Sequence, residues 1–147
     1  MSRSLAPVLL LAALGASSCS STPRVGDPSK ATTANSVTTD QEFELGPGQS
    51  VLVGQEPLKI TFDAITGDSR CPPEVQCVWE GDAVAKVQAA TGTQAPTVYE
   101  LHTNTGYPTQ VDHGAYRIRL AAVAPGTHQG VVIDPAAYVI TLIVTRP

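Results

Sequence analysis

Residues 58–64 read LKITFDA, and apolar and polar side chains alternate along them. The apolar positions 58, 60, 62 and 64 are filled by Leu, Ile, Phe and Ala, with Lys59, Thr61 and Asp63 between them. Successive side chains of a β-strand point to opposite faces, so this alternation predicts a strand with one buried face and one face in water.

The same reading extends to the rest of the chain beyond residue 40. A second alternation places Tyr116, Ile118 and Leu120 on one face. Gly and Pro residues separate five windows of nine to eleven residues: 58–66, 82–91, 97–105, 115–124 and 136–146. These windows fit strands with their flanks, whereas a helical domain would need longer uninterrupted runs.

Two further features complete the predicted fold. Short strand candidates at 42–45 and 50–53 flank a Gly-Pro-Gly turn, and residues 138–144 are apolar at nearly every position. That last run predicts a central strand, covered on both faces or paired on both sides. About seven strands over residues 41–147 predict an all-β chain with one small antiparallel β-sandwich, immunoglobulin-like in architecture. An open barrel is the nearest alternative.

Composition excludes one large class of partner. The chain has 147 residues, of which 15% are charged and only nine are Lys or Arg. An ordinary soluble domain carries about 25% charged residues. Nucleic-acid binding depends on Lys and Arg contacts to phosphates, and no basic stripe is present, so we expect no nucleic-acid partner.

The N-terminus has the pattern of an export signal. Arg3 precedes the apolar run LAPVLLLAAL at 5–14, which is too short for the roughly 20 residues of a membrane-spanning helix. Small residues at 15–18 then lead to Cys19. The segment resembles a bacterial lipoprotein signal, although Ala16 stands where Leu is usual. An ordinary cleaved signal, with Cys19 incidental, is the alternative.

The lipoprotein resemblance implies a location and an anchor. Residues 1–18 would be removed as the signal peptide, and Cys19 would be acylated to hold the chain to a membrane. We expect an exported protein on the periplasmic face of an outer membrane or on the cell surface, depending on the envelope. Residues 19–40 are rich in Ser and Thr and predict a flexible tether, while all seven aromatic residues lie beyond residue 40.

The segment DSRCPPEVQCVWEGD at 68–82 is the densest motif in the chain. It resembles a family of small bacterial lipoproteins and secreted domains that share a DSRCP element, a second cysteine and a Trp followed closely by Gly. The matching residues are Asp68, Ser69, Arg70, Cys71, Pro72, Cys77, Trp79 and Gly81. The resemblance implies membership of that family and no particular activity.

The motif predicts a stapled loop. Three cysteines in an exported chain leave an even pair, Cys71 and Cys77, once Cys19 carries lipid, and we expect them to form a disulfide. Trp79 is expected to pack against the sulfurs or into the sandwich. Asp68 and Ser69 are expected to accept backbone N–H groups.

Two pairings of charged side chains are also expected. Arg70 is predicted to pair with Glu80 or Asp82. His102 is predicted to form a solvated pair with Glu100 on one sheet face.

No metal or cofactor site is predicted. Five carboxylates within twenty residues suit calcium chemically, but their spacing fits no EF-hand loop: Asp63, Asp68, Glu74, Glu80 and Asp82. His102, His113 and His128 lack zinc-ligand spacing. Five residues between two cysteines do not make a redox-active CxxC motif. No nucleophile elbow, HExxH motif or phosphate-binding loop is present.

These observations favour a noncatalytic binding or structural module of the cell envelope. Loop residues Tyr107 and His113 are its candidate contacts with another envelope protein or a polymer. The alternative is a secreted hydrolase or metal-dependent enzyme that uses the acidic loop and the histidines. That alternative requires a pocket in which His and carboxylate side chains converge.

Overall fold

Two β-sheets pack face to face in the computed structural model, which describes residues 35–147. The strands are β1 (Asn35–Val37), β2 (Glu42–Leu45), β3 (Ser50–Val53), β4 (Leu58–Asp68), β5 (Ala83–Thr91), β6 (Thr97–His102), β7 (Gln110–His113), β8 (Tyr116–Ala124) and β9 (Val139–Thr145). A short 3-10 turn, Pro135–Ala137, precedes β9. The all-β prediction is confirmed.

The two sheets have different strand orders. The first sheet contains β1-β3-β4-β5-β6 and the second contains β2-β9-β8-β7. All neighbouring strands are antiparallel except β1 and β3, which run parallel. This arrangement agrees with the predicted small sandwich.

The core lies between the sheets and follows the alternation in the sequence. Leu58, Ile60 and Phe62 of β4 are fully buried, and Ile118 of β8 faces them from the second sheet. All buried hydrophobic residues of the described part lie between residues 43 and 144. The sandwich therefore contains a complete hydrophobic core of its own.

Strand β9 is central in the second sheet, as its apolar sequence predicts. It pairs with β2 on one side and β8 on the other. Ile140, Leu142 and Val144 are buried, and the residues between them are half-buried.

Two of the nine strands lie where the sequence predicts none. Strand β1 falls within the C-terminal end of the predicted tether, six residues before the expected boundary at Gln41. Strand β7 falls between the predicted strand windows 97–105 and 115–124 and includes His113, which the sequence places in a loop. Both are three or four residues long, too short for a visible alternation, and each is defined by its pairing with a longer strand.

No helix within residues 35–147 is long and apolar enough to cross a membrane.

Candidate binding surface at one end of the sandwich

Three loops lie at the end of the sandwich where β4, β6 and β8 finish. They connect β4 to β5 (69–82), β6 to β7 (103–109) and β8 to β9 (125–138). Asp68 pairs with Ala83 across β4 and β5, and His102 pairs with the next residue, Val84, so the first two loops start side by side. We call this the loop end.

Arg70 joins the first loop to the second sheet. Its Nη1 donates a hydrogen bond to the carbonyl of Val123 at 2.6 Å, and its Nη2 donates to that of Pro125 at 2.9 Å. The Asp68 carboxylate accepts from Nε and Nη2 at 2.9 and 2.6 Å, and also from the Tyr138 hydroxyl at 3.0 Å. One guanidinium therefore connects strand ends from both sheets.

The partner of Arg70 corrects the prediction. The expected pairing with Glu80 or Asp82 is wrong, since Asp68 holds the guanidinium and Asp82 binds other groups. Burial works to raise the pKa of Asp68, but hydrogen bonds from Arg70 and Tyr138 outweigh it and hold that pKa below its ordinary value. The Asp68 carboxylate is therefore ionised at neutral pH.

Asp82 organises the start of the second loop. Its Oδ1 accepts from the backbone N–H groups of Thr103 at 3.0 Å and Asn104 at 2.9 Å, and from the Thr103 hydroxyl at 3.1 Å. Its Oδ2 lies 2.6 Å from His102 Nδ1. Burial works to raise the pKa of Asp82, but the hydrogen bonds from His102, Asn104 and Thr103 lower it overall.

The predicted surface pair between His102 and Glu100 does not form. His102 pairs with Asp82 instead, and its ring stacks on that of Tyr107 with centroids 4.9 Å apart. Asn104 Nδ2 donates to the Gly81 carbonyl at 3.0 Å, which ties the second loop to the first.

The first loop is closed by a disulfide and a glycine. The sulfurs of Cys71 and Cys77 lie at the bonding distance of 2.04 Å. Backbone bonds from Ser69 to Asp82 at 2.7 Å and from Cys71 to Glu80 at 3.2 Å extend the β4–β5 ladder into the loop. The Pro72 carbonyl accepts from Val75, which turns the chain within the closed ring.

Gly81 is required where the two arms of the first loop approach each other. Its φ is +71°, and a Cβ there would lie 1.9 Å from the carbonyl oxygen of Ser69. The Ser69 hydroxyl accepts from the Asp82 N–H at 3.1 Å, and Asp68 Oδ1 accepts from the Arg70 N–H at 3.2 Å. Ser69 and Asp68 thus accept backbone N–H groups as the sequence predicts.

The third loop is held to the first. His128 Nδ1 hydrogen-bonds the carboxylate of Glu74, and Thr127 donates to the Arg70 carbonyl at 3.3 Å. In the part of the chain that the structure describes, no buried side-chain nitrogen or oxygen lacks a hydrogen-bond partner. The loops therefore rest on a satisfied polar frame.

Large apolar side chains are exposed on all three loops. Six large hydrophobic side chains of the described residues are exposed, and five of them belong to the loop end: Val78 (87%), Trp79 (81%), Tyr107 (59%), Val131 (61%) and Val132 (94%). The sixth, Val98, lies near the start of β6. Five exposed apolar side chains at one end of the sandwich exceed the single ones of an ordinary surface and make this end the candidate interaction surface.

The exposure of Trp79 contradicts the expectation that it packs against the sulfurs or into the sandwich. Strand β5 begins only at Ala83, so Trp79 lies in the part of the loop that extends beyond the sheets. The space between the sheet ends is crossed by Arg70 and its carbonyl partners. The indole therefore lies outside the core, on the surface of the loop.

The two predicted contact residues have separate surroundings. Tyr107 belongs to the loop end and stacks on His102. His113, the last residue of β7, lies 3.0 Å from the Tyr99 hydroxyl through Nδ1, with the two rings edge to face. The structure does not bring Tyr107 and His113 together, because they contact β6 at positions three residues apart.

The carboxylates considered for calcium have different partners. Asp63 accepts from Gln88, while Asp68, Glu74 and Asp82 bind Arg70, His128 and His102. Within residues 35–147, no group of three or more His, Cys, Asp or Glu side chains is placed to hold a metal ion.

An open groove of about 370 Å³ lies at the loop end between β4 and the third loop. Its lining includes Ile65, Thr66, Asp68, Ile133 and Tyr138, together with Val131 and Val132. None of the three histidines lines it. The convergence of His and carboxylate side chains that the hydrolase alternative requires does not occur in this groove.

Sequence reasoning missed the structural importance of Asp82 and Tyr138. Their partners lie 20 and 70 residues away along the chain, beyond the reach of any local pattern. A polar residue at the first position of a predicted strand window, as Asp82 is, offers only a weak signal for loop capping.

Comparison with known proteins adds no relative. A scan of family models and searches of curated proteins and of solved structures found no match to this chain.

Proposed function

We propose that this protein is a lipid-anchored, noncatalytic module of the cell envelope whose loop end is its binding surface. The observation that carries the proposal is the group of five exposed apolar side chains on three loops that are held by partly buried polar contacts. Such a rigid frame lowers the entropic cost of presenting apolar side chains to a partner.

The anchor rests on the N-terminal pattern. Residues 5–18 resemble a lipoprotein signal ahead of Cys19, and these positions lie outside the described residues. The bond between Cys71 and Cys77 is the form expected of cysteines in an oxidising compartment, which supports export. Acyl chains on Cys19 would then hold the sandwich to the membrane.

The histidines support a noncatalytic role over a hydrolase. Each is paired with a different group, namely Asp82, Tyr99 or Glu74. The Asp82–His102 pair has the chemistry of a base and its orienting group, but Asp82 also accepts three hydrogen bonds that fix the second loop. These additional hydrogen bonds to Asp82 support a structural role for the Asp82–His102 pair.

The anchor is tested by metabolic labelling of cells with an alkyne fatty acid. We expect label on the wild-type chain and none on Cys19→Ser, with the wild type recovered in the membrane fraction. Unlabelled wild-type chain in the soluble fraction would contradict the anchor.

The binding surface is tested by photo-crosslinking in intact cells. A benzophenone amino acid is introduced in separate variants at Val78, at Val132 and at Val98 as the matched exposed control. We expect crosslinks to an envelope component at positions 78 and 132 and none at 98. Equal crosslinking at all three positions, or none at any, would contradict the loop end as the binding surface.

A further inference from the structure

We infer that the envelope component contacted by the loop end is the lipid bilayer itself, at the level of zwitterionic headgroups. The inference rests on the proposed anchor and names the partner of the proposed binding surface. Three features of the loop end support the bilayer as its partner: the exposed apolar side chains, the polar frame behind them and the charge of the loops.

The exposed side chains have the composition of a membrane-interface contact. Trp79 and Tyr107 carry amphipathic rings, which favour the headgroup region, and valines accompany them on the first and third loops. Four of the exposed residues are neighbours in the sequence: Val78 precedes Trp79, and Val131 precedes Val132. Apolar side chains at several loop tips can enter an interface together.

These side chains project from the loops more than they line a cleft. The groove at this end is lined by Val131 and Val132, but not by Val78, Trp79 or Tyr107. A protein ligand would be expected to fill a pocket with its anchoring side chains. Apolar side chains that protrude from separate loops fit the continuous surface of a bilayer better than they fit a protein ligand.

The partly buried polar side chains beneath the loops are hydrogen-bonded within the protein. Asp68 is paired with Arg70, and Asp82 is bound by His102, Thr103 and Asn104. Polar groups already bonded inside the molecule lose little when water is displaced from the loop surface. The tips can therefore enter the interface without breaking the network below them.

Fifteen residues separate Cys19 from Asn35 in the sequence. An acyl anchor on Cys19 would therefore keep the sandwich at high local concentration beside the bilayer.

The charge of the loops selects the lipid. The three loops have a net charge of −3 with histidines neutral, because they contain four acidic residues and one basic residue. The acidic residues are Glu74, Glu80, Asp82 and Asp134, and the basic residue is Arg70. Anionic lipids create a negative surface potential that would repel this end. We therefore expect docking on zwitterionic lipid to weaken as anionic lipid is added.

Trp79 is the single tryptophan of the chain and reports directly on docking. For the test, residues 20–147, which contain the whole core, are produced with an added N-terminal hexahistidine. The hexahistidine attaches the protein to nickel-chelating lipid in phosphatidylcholine vesicles. This artificial anchor replaces acylation, so the result does not depend on whether Cys19 is lipidated. We expect Trp79 emission to shift to shorter wavelength and to be lost to quenching by brominated acyl chains.

Two variants at exposed sites provide the control. Val132→Asp should abolish the shift and the quenching, whereas Val98→Asp on β6 should retain both. Because both side chains are exposed, neither change threatens folding. Partial replacement of phosphatidylcholine by phosphatidylglycerol should reduce the quenching.

Unshifted and unquenched emission from the tethered wild type would overturn the inference, as would equal quenching of the Val132→Asp variant. Emission that changes only when envelope proteins are added would also overturn it and would identify the surface as a protein-binding site. Each of these results leaves acylation of Cys19 to be judged separately by fatty-acid labelling.

Discussion

The carboxylate of Asp68 accepts two hydrogen bonds from the guanidinium of Arg70, and the same guanidinium donates to a backbone carbonyl of the opposite sheet. The DSRCP element thus links the two sheets through Asp68 and Arg70, and we call this pair with its carbonyl partners the clasp. Asp68 in turn accepts from Tyr138, just before β9. The clasp fixes the base of the loop end.

Removal of the clasp should destabilise the sandwich. Arg70→Ala would leave the mostly buried Asp68 carboxylate without its cationic partner and two carbonyl groups without their donor, at a cost of about 3 kcal/mol. Urea denaturation measures the change in the free energy of unfolding. The control is Arg117→Ala, whose exposed pair with Asp112 should contribute nothing measurable. Equal effects of the two substitutions would show that Arg70 is only a surface ion pair.

The stability should be sensitive to acid through Asp68 and Asp82. The pKa of each is held below its ordinary 3.8 in the folded chain, so the unfolded chain takes up protons first as the pH falls. Their contribution is present above pH 3.8 and is lost as the pH drops through the lower folded values. Asp82→Asn should therefore cost more stability at pH 7 than at pH 3, as measured by urea denaturation. The same loss at both pH values would contradict this linkage.

Gly81 should tolerate no side chain. Gly81→Ala would combine a left-handed backbone with a clash against the Ser69 carbonyl, for a loss of about 2–4 kcal/mol. Gly92 also has a positive φ, of +59°, but has open space around it, so Gly92→Ala should cost only about 1 kcal/mol. Thermal denaturation of both variants separates the clash from the backbone preference. A Gly81→Ala variant no less stable than Gly92→Ala would refute the close approach.

The disulfide should stabilise the first loop modestly. Closing so short a ring removes chain entropy worth about 2 kcal/mol from the unfolded state. Reduction, or replacement of Cys71 and Cys77 by serine, should lower the melting temperature while leaving the sandwich folded, because the core does not include the sulfurs. Thiol labelling of the native, unreduced protein should leave both residues unmodified. Labelling of both would show that the bond is absent.

The sequence predicts the strands better than the loops. Alternation in β4 and β8 and the apolar run of β9 reflect burial on one face or in the sheet centre, and local patterns record such burial. The short strands β1 and β7 show no such alternation in the sequence, because they are defined by their pairing with longer strands.

The loop end depends on distant residues, and this is why its geometry was harder to predict. The predicted stapled ring matches the bonded sulfurs of Cys71 and Cys77. The partner of Arg70 lies two residues away, but its orientation depends on carbonyls more than fifty residues on. The large apolar area of Trp79 predicts an interior position, yet its loop extends beyond the sheet ends and leaves the indole exposed.

The account is tested most directly by hydroxyl-radical footprinting of the protein in its native envelope and after purification in detergent-free buffer. Trp79 and Tyr107 should be oxidised readily in the purified protein and strongly protected in the envelope, while the half-buried Tyr99 should react equally in both. Equal oxidation of Trp79 in the two preparations would contradict a loop end that contacts the envelope.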